Sequence, residues 1–189
     1  MQVEEFKELR LVGGTSLALQ MGHRNSVDID LFGKYADETD FMTIISRLST
    51  NFNWIKKSKN INIFEIESTK VDFVNYTYPW LENEIIEKKI RLAGIRDIAA
   101  MKINAITGRG AIKDFIDLYF ILKKYTLADI LKFYQDKYFD NDMIIALKSL
   151  TYFNDAEKES MPEMFIPIEW TTVKAKIKTE VERYIKSLK

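Results

Sequence analysis

Two short segments near the start of the chain pair residue types that bind anions with residue types that bind cations. Val12-Gly13-Gly14-Thr15-Ser16 is a glycine turn beside two hydroxyl residues, and Val27-Asp28-Ile29-Asp30-Leu31-Phe32 sets two carboxylates one residue apart. Glycine takes backbone angles closed to other residues and lets a group approach the main chain. Residues 6–12 read as a strand and 15–21 as a helix stopped by Gly22. The free amides and positive dipole end of that helix favour an anion, with Thr15 and Ser16 adding hydroxyl donors or capping the helix. The stretch from Asp28 to Leu31 alternates polar and apolar, which is strand periodicity. Residues i and i+2 of a strand share a face. Asp28 and Asp30 therefore project together, about 6.5–7 Å apart at Cα, while Ile29 and Leu31 turn to the core. Adjacent carboxylates raise each other's pKa. A divalent cation relieves that conflict, and oxygen-only ligands suit Mg²⁺, which takes one or two carboxylates together with substrate phosphates. A phosphate seat joined to a metal seat suits a nucleoside triphosphate.

The elements around these segments are expected to form a small mixed sheet followed by helices. Residues 41–48 have helical spacing and Thr39-Asp40 can cap them. Residues 51–57, 61–67 and 70–76 read as three strands. Asp72 lies in the apolar run Val71-Asp72-Phe73-Val74, where an acid is either part of a site or a sheet-edge residue paired with a lysine. From about residue 84 the pattern turns helical, over 95–106, 112–124, 127–138 and 142–150. Lys102, amid apolar neighbours, either aims a point charge at phosphates or extends its ammonium to solvent. Asp114 and Asp117 are i and i+3 and share a helix face, where the N-terminal dipole also favours acids. Asp117 is expected to be structural. His23, the one histidine, is expected at the surface of a helix end, and Arg24 is expected to touch phosphate or the second substrate. Residues 160–167 read as a connector. Residues 169–188 form an amphipathic helix whose apolar side is Trp170, Val173, Ile177, Val181, Tyr184 and Ile185.

The whole chain sets limits on these readings. Its 189 residues suit one domain, or one with a helical lobe. With no cysteine, disulfides and thiolate metal sites are excluded, which fits a cytoplasmic protein. No run is long enough to span a membrane, and the acidic start Met1-Gln2-Val3-Glu4-Glu5 is unlike a secretory signal. A formal net charge of +0 argues against a broad nonspecific nucleic-acid footprint. It leaves room for local basic clusters such as Lys56, Lys57 and Lys59, or Lys88, Lys89, Arg91 and Arg96.

The glycine turn and the Asp-Ile-Asp strand, in this order, resemble the signature of the DNA polymerase beta-like nucleotidyltransferase superfamily. The wider match runs from Leu11 to Leu19, through Gly22-His23-Arg24, Ser26 and Asp28-Ile29-Asp30-Leu31-Phe32. With Lys113-Asp114-Phe115-Ile116-Asp117-Leu118-Tyr119, it is similar to the AbiEii/AbiGii toxin family, over roughly residues 5–125. The resemblance implies an α+β fold, with a nucleotidyltransferase core over residues 1–83 and a helical region over 84–189 packed on it. It implies one or two Mg²⁺ ions, replaceable by Mn²⁺, on Asp28, Asp30 and a third carboxylate that Asp72 supplies in the right chain order. It implies a nucleoside triphosphate seated by Gly13, Gly14, Thr15, Ser16 and Arg24. Lys102 would assist that triphosphate. Asp114 would orient the acceptor, act as a base, or hold Lys102 or Arg109. The expected reaction moves a nucleoside monophosphate to an acceptor hydroxyl, RNA or tRNA in some members, in a toxin–antitoxin or phage-defence setting with a cognate antitoxin. The alternatives are a small-molecule or protein acceptor, and a non-catalytic partner-binding protein of a defence operon.

Overall fold

Segments of period 2 must find strand neighbours and segments of period 3.6 must cover an apolar face. The computed structural model describes residues 3–36 and 39–188, so Met1 and Gln2 of the acidic start lie outside the described residues. A one-turn 3-10 helix, Glu4–Phe6, leads into β1 (Arg10–Leu11), α1 (Gly13–Met21), β2 (Ile29–Gly33) and α2 (Phe41–Leu48). Three strands follow, β3 (Phe52–Lys57), β4 (Ile61–Ile66) and β5 (Thr69–Asn75), then a hairpin of β6 (Ile85–Glu87) and β7 (Ile90–Leu92). The remaining helices are α3 (Ile95–Gly108), α4 (Ile112–Ile121), α5 (Leu127–Lys137), α6 (Met143–Ser149) and α7 (Trp170–Ser187).

The strands form one mixed sheet in the order β3-β4-β5-β2-β1-β7-β6. β2 runs parallel to β5 and β1 parallel to β7, while the other neighbours are antiparallel. Strand alternation assigns the two faces. Leu31, Val71 and Phe73 join Phe41, Ile44, Ile45 and Phe64 in a core under α2. Phe32 and Val74 pack on the opposite core, built by Val12, Leu17 and the buried faces of α3, α4, α5 and α7. Asp30 and Asp72 share the side of Phe32 and Val74, so the carboxylates face the cleft between the sheet and the helices.

Several expectations shift. The strand expected over 6–12 shrinks to Arg10–Leu11, and α1 begins at the glycines themselves. Gly22 ends α1 as expected, with φ of 61°. Asp40 caps α2 by accepting the Thr43 N–H. The helical part starts at Ile95, not near residue 84, because 85–92 folds back as a hairpin and adds β7 beside β1. Its turn uses Lys88 and Lys89 at positive φ, 46° and 69°. Asn-Gly or Asp-Gly usually marks such a turn, and neither is present here. In α7, Val173, Ile177 and Val181 are buried in the helical core, while Ile185 stays exposed.

Candidate active site

The parallel pairing of β2 and β5 makes Asp30 and Asp72 direct Cα partners. Asp72 Oδ2 accepts from Lys70 Nζ at 2.6 Å. Its Oδ1 is buried and has no hydrogen-bond partner. Burial, and then the charge of Asp72, push the Asp30 carboxyl above its ordinary range. Asp28 precedes β2 at the rim, its side chain 45% exposed, with Oδ2 3.7 Å from Lys113 Nζ. An orphaned carboxylate oxygen beside an electrostatically disfavoured carboxylate is an arrangement that a hard cation would relieve. Asp28, Asp30 and Asp72 are the oxygen donors that would hold it. Among the described residues no three Asp, Glu or His side chains close into a cage. The site is an open edge, which suits an ion that keeps water and substrate ligands.

The glycine turn packs directly on this edge. Gly13 has φ of +66°, and a Cβ there would strike the Asp30 carboxylate. At Gly14 a Cβ would strike the Arg24 guanidinium. Only hydrogen side chains let the turn lie between Asp30 of β2 and the arginine. The first bond from within α1 runs from Ser16 N–H to the Val12 carbonyl at 3.3 Å, so the amides of Gly13, Gly14 and Thr15 have no intrahelical acceptor. Thr15 donates its hydroxyl to the Asp28 carbonyl and lies 3.0 Å from Ser26 Oγ, tying the turn to the strand entry. Ser16 departs from expectation. Its hydroxyl is fully buried, 3.5 Å from the Ala93 carbonyl, and accepts from Gln20 Nε2 at 3.1 Å. It faces the core and cannot donate to phosphate.

The opposite wall is cationic. Lys102 Nζ lies 2.9 Å from Asp114 Oδ1 and 2.5 Å from Asp117 Oδ2. Arg24 grips Asp117 with two bonds of 2.7 and 2.8 Å. Arg109 grips Asp114 with bonds of 2.7 and 3.0 Å. Burial alone would lower the Lys102 pKa, but Asp117 and Asp114 outweigh it and raise it. Burial alone would raise both carboxyls, but Lys102 with Arg109 and Arg24 holds them below the ordinary carboxylate range. Three cations thus face two carboxylates, and the surplus positive charge faces the aspartates of the sheet. Of the three roles open to Asp114, the geometry selects holding Lys102 and Arg109. A doubly paired, ionised carboxylate is a poor base.

One more expectation is corrected, and the place of Arg24 is narrowed. His23 is fully buried, its Nε2 2.8 Å from Asp117 Oδ1 and its ring 4.8 Å from that of Phe120. Beyond Gly22 the chain turns inward, so the helix end brings His23 into the core. Arg24 is likewise buried, and all its nitrogens have protein acceptors, the third being the Asn25 carbonyl at 2.8 Å. It braces Asp117, packs against Gly14 and still lines the polar cavity of the cleft. The connector over 160–167 supports this loop, since Phe165 and Ile166 donate to the His23 carbonyl and Asn25 donates to that of Glu163. A polar cavity of about 310 Å³ collects Gly13, Gly14, Arg24, Asp28, Asp30, Asp72 and Lys102. It also includes Ser26, Lys70, Arg109 and Lys113, which were not among the expected site residues. Strand spacing could have flagged Lys70, two residues before Asp72, and the second motif begins at Lys113.

The sequence profile of the nucleotidyl transferase AbiEii toxin family, of type IV toxin–antitoxin systems, matches residues 1–92 and 79–186. The chain belongs to the AbiEii toxin family. An uncharacterized protein of Aquifex aeolicus is 38% identical over 186 residues, covering 94% of this chain and 88% of its own. The fold is shared with MenT4, a nucleotidyltransferase toxin from Mycobacterium tuberculosis H37Rv, at a TM-score of 0.60 and 15% identity over 95% of this chain and 77% of that one. It is shared with JHP933 from Helicobacter pylori at a TM-score of 0.59 and 15% identity, over 96% and 85%. As an AbiEii protein the chain is a nucleotidyltransferase of toxin type, and the family implies a nucleotide substrate and a cognate antitoxin. Among the described residues, no helix is long and apolar enough to cross a membrane.

Proposed function

We propose that this AbiEii protein transfers a nucleoside monophosphate from a nucleoside triphosphate to a hydroxyl of RNA, tRNA being the leading acceptor, with Mg²⁺ held by Asp28, Asp30 and Asp72. The observation that carries this reading is the in-register Asp30/Asp72 pair, with one orphaned oxygen, facing a wall of surplus positive charge. Bound there, Mg²⁺ supplies neutralisation of the triphosphate and of the attacking and leaving oxygens. The chain supplies the rest. The amides of Gly13 and Gly14 receive the terminal phosphates at the start of α1. Arg109, its side chain 58% exposed, and Lys113 stand at the cavity rim for the same anion. Lys102 keeps its charge because two carboxylates hold it, and it adds positive potential at the cavity floor. The acceptor oxygen attacks the α-phosphorus and pyrophosphate leaves in line.

Incubating the protein with Mg²⁺, labelled nucleoside triphosphates and total RNA tests this, beside the Asp28→Ala/Asp30→Ala variant. The wild type is expected to label RNA and the variant not to. Equal labelling by both would sink the proposal. Labelled product that resists RNase would move the acceptor to a protein or small molecule. The intact aspartate pair supports a catalytic protein over a non-catalytic partner-binding one.

A further inference from the structure

A second cavity, of about 350 Å³, adjoins the polar one and has a different lining. Val12 and Phe32 form its sheet side, Met101 and Ala105 its helix side, and Tyr138 and Asn104 also face it. Gly13, Asp30, Lys102 and Arg109 line both cavities. A ligand with a polyanionic end and a less polar body would fill the two, its parts meeting at the residues they share.

Resting on the function proposed above, we propose that this second cavity seats the sugar and base of the donor nucleotide, and that Asn104 reads the base. Ligand pockets of ~300–1,000 Å³ are mostly apolar with a few placed polar groups, and this one fits that description. Met101 offers a polarisable thioether to an aromatic face. The Tyr138 hydroxyl is 2.8 Å from that of Tyr76, which fixes its ring as a wall. Asn104 is exposed on α3, and its Oδ1 accepts from Asn141 Nδ2 at 3.1 Å. That bond orients the amide and takes one lone pair of Oδ1 while both NH₂ hydrogens stay available, so the base atom we assign to it is an acceptor, a carbonyl oxygen or ring nitrogen. The RNA acceptor is left the open rim near Asp28 and Lys70, whose side chains are partly exposed.

The test measures equilibrium binding of each of the four nucleoside triphosphates, and of inorganic tripolyphosphate, in the presence of Mn²⁺. Ala105→Phe fills the cavity, and Asn104→Ala removes the exposed amide without touching the core. Ala105→Phe is expected to weaken nucleotide binding about tenfold or more by steric exclusion, while tripolyphosphate binds as before. Asn104→Ala is expected to weaken the preferred nucleotide about 3- to 10-fold, one hydrogen bond's worth, and to narrow the spread among the four. Nucleotide binding untouched by both substitutions would overturn the assignment. So would equal losses of nucleotide and tripolyphosphate in Ala105→Phe, or, with total RNA titrated into the same variants, a loss of RNA binding alone, which would give the cavity to the acceptor. A wild type that binds neither ligand would instead bring down the underlying functional reading.

Discussion

The two walls of the cleft both carry aspartates and treat them in opposite ways. On the helical wall Asp114 and Asp117 are fully buried, and each carboxylate meets two basic side chains, with His23 as a further partner of Asp117. On the sheet wall Asp30 has its carboxyl pushed up, and Asp72 keeps one buried oxygen without a partner. A carboxylate whose charge is already matched is framework. A carboxylate left unmatched beside another is a cost that a bound cation would relieve. In the function proposed above, the chemistry therefore falls to the strands, and the helices hold the shape and the potential.

The largest expected effect that separates the walls is on folding. Asp117→Asn keeps the shape but leaves buried Arg24 without a carboxylate and Lys102 with Asp114 alone, and is expected to cost about 3–5 kcal/mol in urea unfolding. A loss under about 1 kcal/mol would erase the distinction between the walls. Next, Gly14→Ala forces a methyl into the Arg24 guanidinium and is expected to cost about 1–3 kcal/mol by overpacking, read from the same curves.

Acid titration gives a smaller, signed effect. Asp114 and Asp117 have folded pKa values below their unfolded ones. Their stabilisation is complete above the unfolded value of about 3.9 and is lost as pH falls through the folded values. Asp30 is raised, so its contribution has the other sign: it favours the folded state at low pH and is lost as pH rises through the folded value. Melting temperatures followed from pH 6 downward should fall more steeply for the wild type than for Asp117→Asn. Smallest is Asp30→Asn at neutral pH, where unfolding stability should stay level or rise by up to about 1 kcal/mol through loss of like-charge repulsion. Transfer activity in the same variant should drop by at least about 10²-fold. A clear destabilisation by Asp30→Asn would show that this residue, too, is framework.

The sequence made the sheet wall legible because its signals are local. The Asp-Ile-Asp alternation, the glycine turn and the apolar run around Asp72 each report their own conformation. The helical wall is less legible, because its partners are far apart in the chain: Arg24 and His23 meet Asp117 across 93 and 94 residues, and nothing near His23 announces burial. The inward turn of Ser16 is hidden in the sequence for a related reason. A hydroxyl beside a glycine turn can face either way, and the contact with Ala93 that turns it inward comes from the strand–helix junction after β7. The β6–β7 hairpin stayed hidden because Lys88 and Lys89 adopt turn angles that glycine or asparagine would have advertised. Asn104 carries no motif at all, and its place at the second cavity depends on how α3 crosses the sheet.

Calorimetric titration of Mn²⁺ into the folded protein tests the central claim, the ligand set on the sheet wall, most directly. The wild type is expected to bind one or two ions and the Asp30→Asn/Asp72→Asn variant none, with both proteins equally folded by circular dichroism. Equal binding by the two, or no binding by the wild type even with a nucleoside triphosphate present, would contradict it.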